Sequence, residues 1–295
     1  MAIEIPGVED VEILAATANG SVYSGTEAEF DRRVAIKVMR PGLDGAERRF
    51  ARERKTMGRL SEIPGIAPVY RSGLLDSGEP FIVMPLYANS LQDVIAKRAI
   101  PEAEAVALMA RVAEAIAGAH DLDVIHLDLK PSNILMDSRG GTFVADFGIA
   151  EMTDTSASLS GQMMTPQYAA PERFSDVDPS PPADVYALGA TLFALLAGKP
   201  PFSTAKNTSP AAVMMRIIQD PVPLMDLPDL ISDPVRDVIL HTMSKVPDSR
   251  PTARQLSADL LALQTPNANA SPPPHQTTPA PVSYTHLTLP TTPYV

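Results

Sequence analysis

The chain has 295 residues, 45% of them hydrophobic, which is enough to bury the core of one large domain or of two packed lobes. Its formal net charge of −11 provides no basic field to attract nucleic acid or anionic lipid, so neither partner is favoured. The absence of cysteine excludes disulfides and thiolate chemistry and is natural in the cytosol.

The N-terminal part of the chain alternates short β-branched runs with turns. The runs SVYSG, RVAIKVM and PFIVM predict strands between about Val11 and Met84. One charged helix, from about Ala46 to Leu60, interrupts them, and we interpret its basic cluster as a solvated helix face. The first residues are acidic and lack the basic and apolar regions of a signal peptide.

Beyond Ser90 the pattern becomes helical. Pro101 precedes Glu102 and Glu104, as a helix N-terminus prefers, and apolar residues then recur at helical spacing. The longest apolar stretch, residues 187–197, is too short to span a bilayer. Residues 264–295 are rich in Pro, Thr, Ser and Asn, which predicts a disordered tail. We interpret the final SYTHLTLPTTPYV, which differs in composition, as a cloning or assembly scar.

The segment HLDLKPSN, residues 126–133, places three polar groups at a spacing that suits a loop. Asp128 is suited to orient a hydroxyl and accept its proton, and Lys130 to neutralise a transferring phosphoryl group. Asp146 follows in VADFGIA, after a strand-like run. The oxygens of Asn133 and Asp146 are suited to a hard cation such as Mg²⁺, whose other ligands are waters and substrate phosphates. These residues together predict phosphoryl transfer.

Two further residues suggest how a phosphate site is completed. Lys37 ends the strand-like run VAIK, where a buried charge needs a partner, and Glu53 on the charged helix is suited to supply it. His126 is predicted to be a packed, structural histidine. Taken alone, Lys37 and Glu53 would be read as a surface pair, so their assignment depends on the downstream motifs.

The same motifs in the same order resemble the eukaryotic-like serine/threonine protein kinases, and compact lobes suggest the bacterial members. VAIK, HLDLKPSN, DFG and APE match four family motifs in order, between about Val11 and Leu263. The resemblance implies that Lys37 contacts the α- and β-phosphates and pairs with Glu53. It also implies the roles of the remaining motif residues: Asp128 as catalytic base, Lys130 as γ-phosphate contact, Asn133 and Asp146 as metal ligands, and Arg250 as the ion-pair partner of Glu172.

The resemblance also places a nucleotide pocket. It implies that Val22 and Ala35 form the roof, Leu135 the floor and Met84 the gatekeeper. The backbone of Pro85 to Tyr87 would meet adenine, and since Pro85 has no N–H, Tyr87 is the expected donor. The phosphate-covering loop departs from the family pattern, because of three expected glycines only Gly20 remains, and Ala15 and Thr17 occupy the other positions. Their Cβ atoms limit close backbone approach to a phosphate.

Leu127, between His126 and Asp128, is a second departure. Switchable members of the family have an arginine before the catalytic aspartate, which pairs with a phosphorylated activation-loop residue. Leucine cannot form that pair, so we expect activity that does not depend on such a phosphate. The hydroxyl residues of this loop are nevertheless candidate phosphosites: Thr153, Thr155, Ser156, Ser158 and Ser160.

The sequence therefore predicts an α+β, two-lobed protein kinase fold at residues 11–263. The β-rich N-lobe with one regulatory helix covers about 11–84, the helical C-lobe about 85–263, and the tail 264–295. The predicted function is ATP- and Mg²⁺-dependent phosphorylation of Ser/Thr on proteins in the cytoplasm, with autophosphorylation through a transient homodimer and no nucleic-acid or membrane partner. A pseudokinase that scaffolds partners is the alternative suggested by the altered glycine loop. A small-molecule phosphotransferase shares the HxDxxxxN pattern but is not expected to have DFG, TPQY and APE.

Overall fold

The structure is a computed structural model and describes residues 3–17, 20–39, 55–147, 166–175, 177–203 and 209–264. Glu53, Thr165, the candidate phosphosites and the predicted tail beyond Gln264 lie outside these ranges. Of the predicted helix from Ala46 to Leu60, the described part, residues 55–60, is helical.

An antiparallel five-stranded sheet forms the N-lobe, with strand order β1-β2-β3-β5-β4. Its strands are β1 (Val8–Thr17), β2 (Gly20–Glu27), β3 (Arg32–Met39), β4 (Arg71–Leu74) and β5 (Pro80–Pro85). The apolar run of β3 is buried on both faces, since Val34, Ile36 and Val38 belong to one hydrophobic cluster while Ala35 and Lys37 project from the opposite face. The three predicted strand runs all lie within β2, β3 and β5, and β3 continues two residues past Lys37.

Gly20 begins β2 where the sheet leaves no room for a side chain. Its φ is +149°, and a Cβ built there would lie 2.1 Å from the carbonyl oxygen of Val38 on β3. A contact of that length cannot be relieved without moving backbone. The remaining glycine of the family loop is thus required by strand packing, independently of any phosphate.

The C-lobe is predominantly helical. Its helices are α1 (Leu91–Ile95), α2 (Glu102–His120), α3 (Pro181–Ala197), α4 (Pro210–Gln219), α5 (Asp233–Thr242) and α6 (Ala253–Gln264). α3 is buried almost all round and packs against α2 and α5, and Gly198 in the left-handed conformation follows its last turn. Within the described ranges, no helix is long and apolar enough to cross a membrane.

A small second sheet in the C-lobe connects the HLDLKPSN segment to the segment around Asp146. Its strands, in the order β6-β7-β8, are β6 (Asn89–Ser90), β7 (Ile134–Met136) and β8 (Thr142–Val144). β7 directly follows the HLDLKPSN segment and β8 ends two residues before Asp146, so their antiparallel pairing brings the two motifs to one end of the hairpin. The predicted two-lobed α+β kinase fold is confirmed.

Candidate active site

Three predicted residues of the HLDLKPSN segment lie in direct contact. Lys130 Nζ donates to both carboxylate oxygens of Asp128, at 2.9 and 2.8 Å. A 3-10 turn, Pro131–Asn133, returns the chain, so that Asn133 Nδ2 donates to the Asp128 carbonyl oxygen at 2.7 Å and to its Oδ2 at 3.1 Å. A carboxylate, an ammonium group and an amide therefore converge, as the loop spacing predicted.

A buried carboxylate on α3 holds the backbone of this loop. Asp184 is 1% exposed and accepts hydrogen bonds from the backbone N–H groups of His126 and Leu127, both at 2.8 Å. Its Oδ2 also lies 2.9 Å from His120 Nε2 at the end of α2. Leu127 has a φ of +64°, which is costly for a residue with a branched side chain, and the two bonds to Asp184 help to impose it.

His126 connects the HLDLKPSN segment to the residue before Asp146. The ring is 1% exposed, its Nε2 donates to the carbonyl oxygen of Ala145 at 2.8 Å, and its Nδ1 accepts from the Asp128 N–H at 3.3 Å. Phe147 packs on the ring at a centroid distance of 4.5 Å. The prediction of a structural histidine is confirmed.

Lys37 reaches across to the second motif. Its Nζ lies 2.8 Å from Asp146 Oδ1, and the lysine is 7% exposed. Asp146 has a φ of +69°, which turns the chain where it leaves β8. Sequence reasoning paired Lys37 with Glu53, which lies outside the described residues, and missed the contact with Asp146. The two are far apart in sequence, so only the fold reveals that contact.

The predicted nucleotide residues of the sheet share one face. In the strand registers Ala15 is opposite Val22, Val22 is opposite Lys37, and Ala35 is opposite Met84. Directly opposed side chains project to the same face of a sheet, and so do Ala35 and Lys37, which are two residues apart on one strand. One face of the sheet therefore carries all five side chains: Ala15, Val22, Ala35, Lys37 and Met84.

A cavity lies between this face and the segment around Asp146. Its lining residues are Lys37, Met57, Leu60, Ile66, Ala67, Val69, Ile82, Met84, Val144, Ala145, Asp146 and Phe147. Lys37, Met84 and Asp146 of the predicted site thus contribute to one pocket with mainly apolar walls, a composition typical of ligand sites. The other predicted nucleotide contacts are not part of its lining: Ala15, Gly20, Val22, Ala35, Pro85, Tyr87 and Leu135.

Two of these contacts are placed by the second sheet. Leu135 lies on β7 opposite Phe143, and the Tyr87 ring packs against Phe143 at a centroid distance of 5.1 Å. Burial raises the pKa of the Tyr87 hydroxyl, so this side chain stays neutral. The segment from Pro85 to Tyr87 therefore runs from β5 directly past the β7–β8 hairpin.

The predicted Glu172–Arg250 ion pair is confirmed. Arg250 Nη1 and Nη2 donate to the two Glu172 oxygens at 2.6 and 2.8 Å, which makes the pair bidentate. Arg250 also donates to the carbonyl oxygens of Ser244 and Pro182, both at 2.8 Å. The APE segment is thus joined to the start of α3 and to the chain before α6.

Comparison with known proteins agrees with this arrangement. Residues 9–261 match the family model described as protein kinase domain. The chain belongs to the protein kinase domain family. The sequence resemblance is therefore confirmed for a domain that includes both the sheet and the helices of this structure.

Three curated relatives of this kinase domain come from bacteria. The chain is 35% identical over 263 residues to the serine/threonine-protein kinase PknK of Mycobacterium bovis. The aligned region covers 88% of this chain and 24% of PknK. The chain is 33% identical over 266 residues to the probable serine/threonine-protein kinase PknB of Corynebacterium glutamicum, with 84% and 41% covered. For the serine/threonine-protein kinase PknA of Mycobacterium tuberculosis the identity is 31% over 284 residues, with 91% and 64% covered.

The kinase domain thus spans about a quarter of the length of PknK and under two thirds of the other two. The family match and these relatives support serine/threonine protein kinase activity, and they confirm the predicted bacterial eukaryotic-like type. Protein kinases of this family use ATP, usually with Mg²⁺.

Proposed function

We propose that this domain transfers the γ-phosphate of ATP to serine and threonine hydroxyls of proteins. The observation that carries the proposal is the cluster of Asp128, Lys130 and Asn133, held beside the Lys37–Asp146 pair. Asp128 orients the acceptor hydroxyl and takes its proton. Lys130 and Lys37 contact the phosphates, because phosphoryl transfer depends mainly on positioning and charge stabilisation.

Asn133 and Asp146 are the proposed ligands of Mg²⁺. The Asn133 amide nitrogen is turned toward Asp128, so its oxygen is the atom left to face a cation. Asp146 Oδ1 contacts Lys37, which leaves Oδ2 for the metal. Within the described ranges there is no cluster of three or more His, Cys, Asp or Glu suited to a metal. Two protein oxygens suit Mg²⁺, which takes its other ligands from phosphates and water.

The adenine site proposed here lies at Val22, Ala35, Met84, Leu135 and the backbone of residues 85–87. Glu53 is proposed as a second partner for Lys37, and Gly20 and Ala15 belong to the hairpin expected to cover the phosphates. We also propose that the kinase domain extends over residues 11–263 and that the protein acts in the cytoplasm.

The proposed partners are protein substrates and a second, transient copy of the chain for autophosphorylation. The net charge of −11 argues against nucleic acid as a partner.

Incubation of the purified chain with labelled ATP, Mg²⁺ and casein tests the proposal. Asp128→Asn and Asp146→Ala should each reduce phosphate incorporation by about a hundredfold or more. Asp237→Asn, at an exposed position on α5, is the matched control and should retain wild-type activity.

A pseudokinase remains the second candidate, since Ala15 and Thr17 replace two loop glycines. Wild-type protein that binds ATP without phosphorylating casein or itself would support it.

A further inference from the structure

Arg173 is a charged residue that the proposed mechanism does not use. It lies in the 3-10 turn Pro171–Phe174, directly after Glu172. Its Nε is buried and has no hydrogen-bond partner among the residues that the structure describes. A buried donor without a partner is uncommon and costs stability, so its presence calls for a functional explanation. Glu172 does not provide one, because Arg250 engages both of its carboxylate oxygens.

The Arg173 side chain borders a small cavity beneath the catalytic segment. The cavity is lined by Leu127, Asp128, Leu129, Tyr168, Ala169, Ala170, Arg173, Ala183 and Ala187. Four of these nine residues are alanines, two of them one turn apart on α3, and their small side chains leave space in the cavity that Arg173 and Asp128 both line. The cavity volume of about 10 Å³ is close to the space of one water molecule. It is too small to admit a substrate side chain, so Arg173 faces residues of the protein itself there, those of the HLDLKPSN segment among them.

The electrostatic surroundings of Arg173 support this placement. Burial lowers the pKa of Arg173, while the negative charges of Asp184, Glu172 and Asp128 act in the opposite direction. The guanidinium remains charged at all physiological pH values, because arginine has so high a pKa to begin with. This permanent positive charge is attracted most strongly by Asp184, which anchors the catalytic loop, and more weakly by Glu172 and Asp128.

Lys130, which contacts Asp128 directly, has a second role in the proposed mechanism. Lys130 Nζ contacts both Asp128 oxygens, but the proposed mechanism requires it to contact the transferring phosphate. When Lys130 turns to the phosphate, its charge is shared, whereas that of Arg173 stays in place. Leu127 has no charge to contribute and packs against the hydrophobic core of the C-lobe.

We propose that Arg173 is a positioning residue whose fixed charge holds the Asp128 segment in its catalytic arrangement, in place of a cation at position 127. This inference rests on the proposed function. It assigns to Arg173, in the turn Pro171–Phe174, the support that other family members obtain from an arginine and a phosphorylated loop. The domain would then carry its activating charge permanently.

Arg173→Met tests the charge, since methionine keeps an unbranched side chain in the slot. Arg173→Lys restores the charge, and Arg254→Met, at an exposed arginine on α6, is the matched control. We expect Arg173→Met to lower kcat about tenfold or more, with KM for ATP within about threefold of wild type. Its melting temperature should be unchanged or higher, because the unpartnered donor is gone. Arg173→Lys should recover at least a third of the wild-type kcat.

Hydrogen exchange of residues 126–130 provides a readout that does not require activity. Exchange should be faster in Arg173→Met than in wild type, and near wild type in Arg173→Lys. Unchanged exchange, a kcat within twofold of wild type in Arg173→Met, or failure of lysine to restore either property would overturn the positioning role. If Arg173→Met does not fold, Arg173→Gln provides the same comparison. A wild-type chain without kinase activity would contradict the proposed function, and the exchange comparison would still decide the role of Arg173.

Discussion

Replacing Arg250 with methionine should destabilise the domain strongly. The Arg250 side chain is 0% exposed and that of Glu172 is 13% exposed, so the pair lies almost completely out of water. The substitution removes four hydrogen bonds and leaves the Glu172 carboxylate buried without its cation. Removing one partner of a buried pair costs about 3–5 kcal/mol. For a domain of this size that corresponds to a fall in melting temperature of about 6–20 °C.

Urea unfolding followed by circular dichroism measures this cost in Arg250→Met, Glu172→Gln and the double variant. Part of the loss in Arg250→Met comes from the uncompensated Glu172 charge. Because Glu172→Gln neutralises this charge, the double variant should lose less stability than the two single variants added together. The expected difference in the free energy of unfolding is about 1–3 kcal/mol. Additivity within about 0.5 kcal/mol would show that the two side chains do not stabilise each other and would refute the reasoning. Arg254→Met should unfold at the wild-type urea concentration, because its ion pairs are exposed.

Three further predictions concern the loops and pH. Replacing Ala15 and Thr17 with glycine should tighten ATP binding, measured by titration, or raise turnover, measured in a rate assay. A decrease in both would show that alanine and threonine suit the pocket. Changing four activation-loop residues together to alanine should leave activity on casein within about threefold of wild type. The four are Thr155, Ser156, Ser158 and Ser160. A loss beyond tenfold that a phosphate restores would contradict the interpretation of Leu127. Burial lowers the pKa of Lys245 from 10.5 to about 8, so the unfolded chain binds more protons between these values and stability should rise with pH there. The free energy of unfolding of wild type relative to Lys245→Met, measured in urea, should therefore increase from pH 8 to 10. The expected slope is about 0.5 kcal/mol per pH unit after allowance for solvent screening of the half-exposed amine, and a constant difference would exclude this linkage.

The parts of the site that sequence reasoning predicted are those encoded locally. The convergence of Asp128, Lys130 and Asn133 follows from a six-residue segment with a proline that favours a turn, so its spacing is sufficient to predict it. The strands β2, β3 and β5 were likewise visible in their β-branched runs. The ion pair between Glu172 and Arg250 was predicted only through the family resemblance.

Interactions between distant segments were harder to predict. The contact of Lys37 with Asp146 depends on how the sheet lies against the β7–β8 hairpin, and nothing in either motif specifies it. Asp184 offered a weak signal, because a carboxylate in the apolar helix DVYALG must have buried partners. Its partners are backbone N–H groups of the catalytic segment, which have no side-chain signature. Arg173 has no signature in the sequence for a similar reason, since it borders a cavity formed by three separate segments.

The bonds from Asp184 to the catalytic segment separate two tasks of the domain. Asp128 takes its position from α3, the most buried helix of the C-lobe, whereas Lys37 takes its position from the sheet. A motion of the sheet relative to the helices would therefore displace the proposed contacts to the nucleotide phosphates while the proposed proton acceptor stayed in place. Under the proposed function, nucleotide entry and release would then leave the site for the acceptor hydroxyl undisturbed.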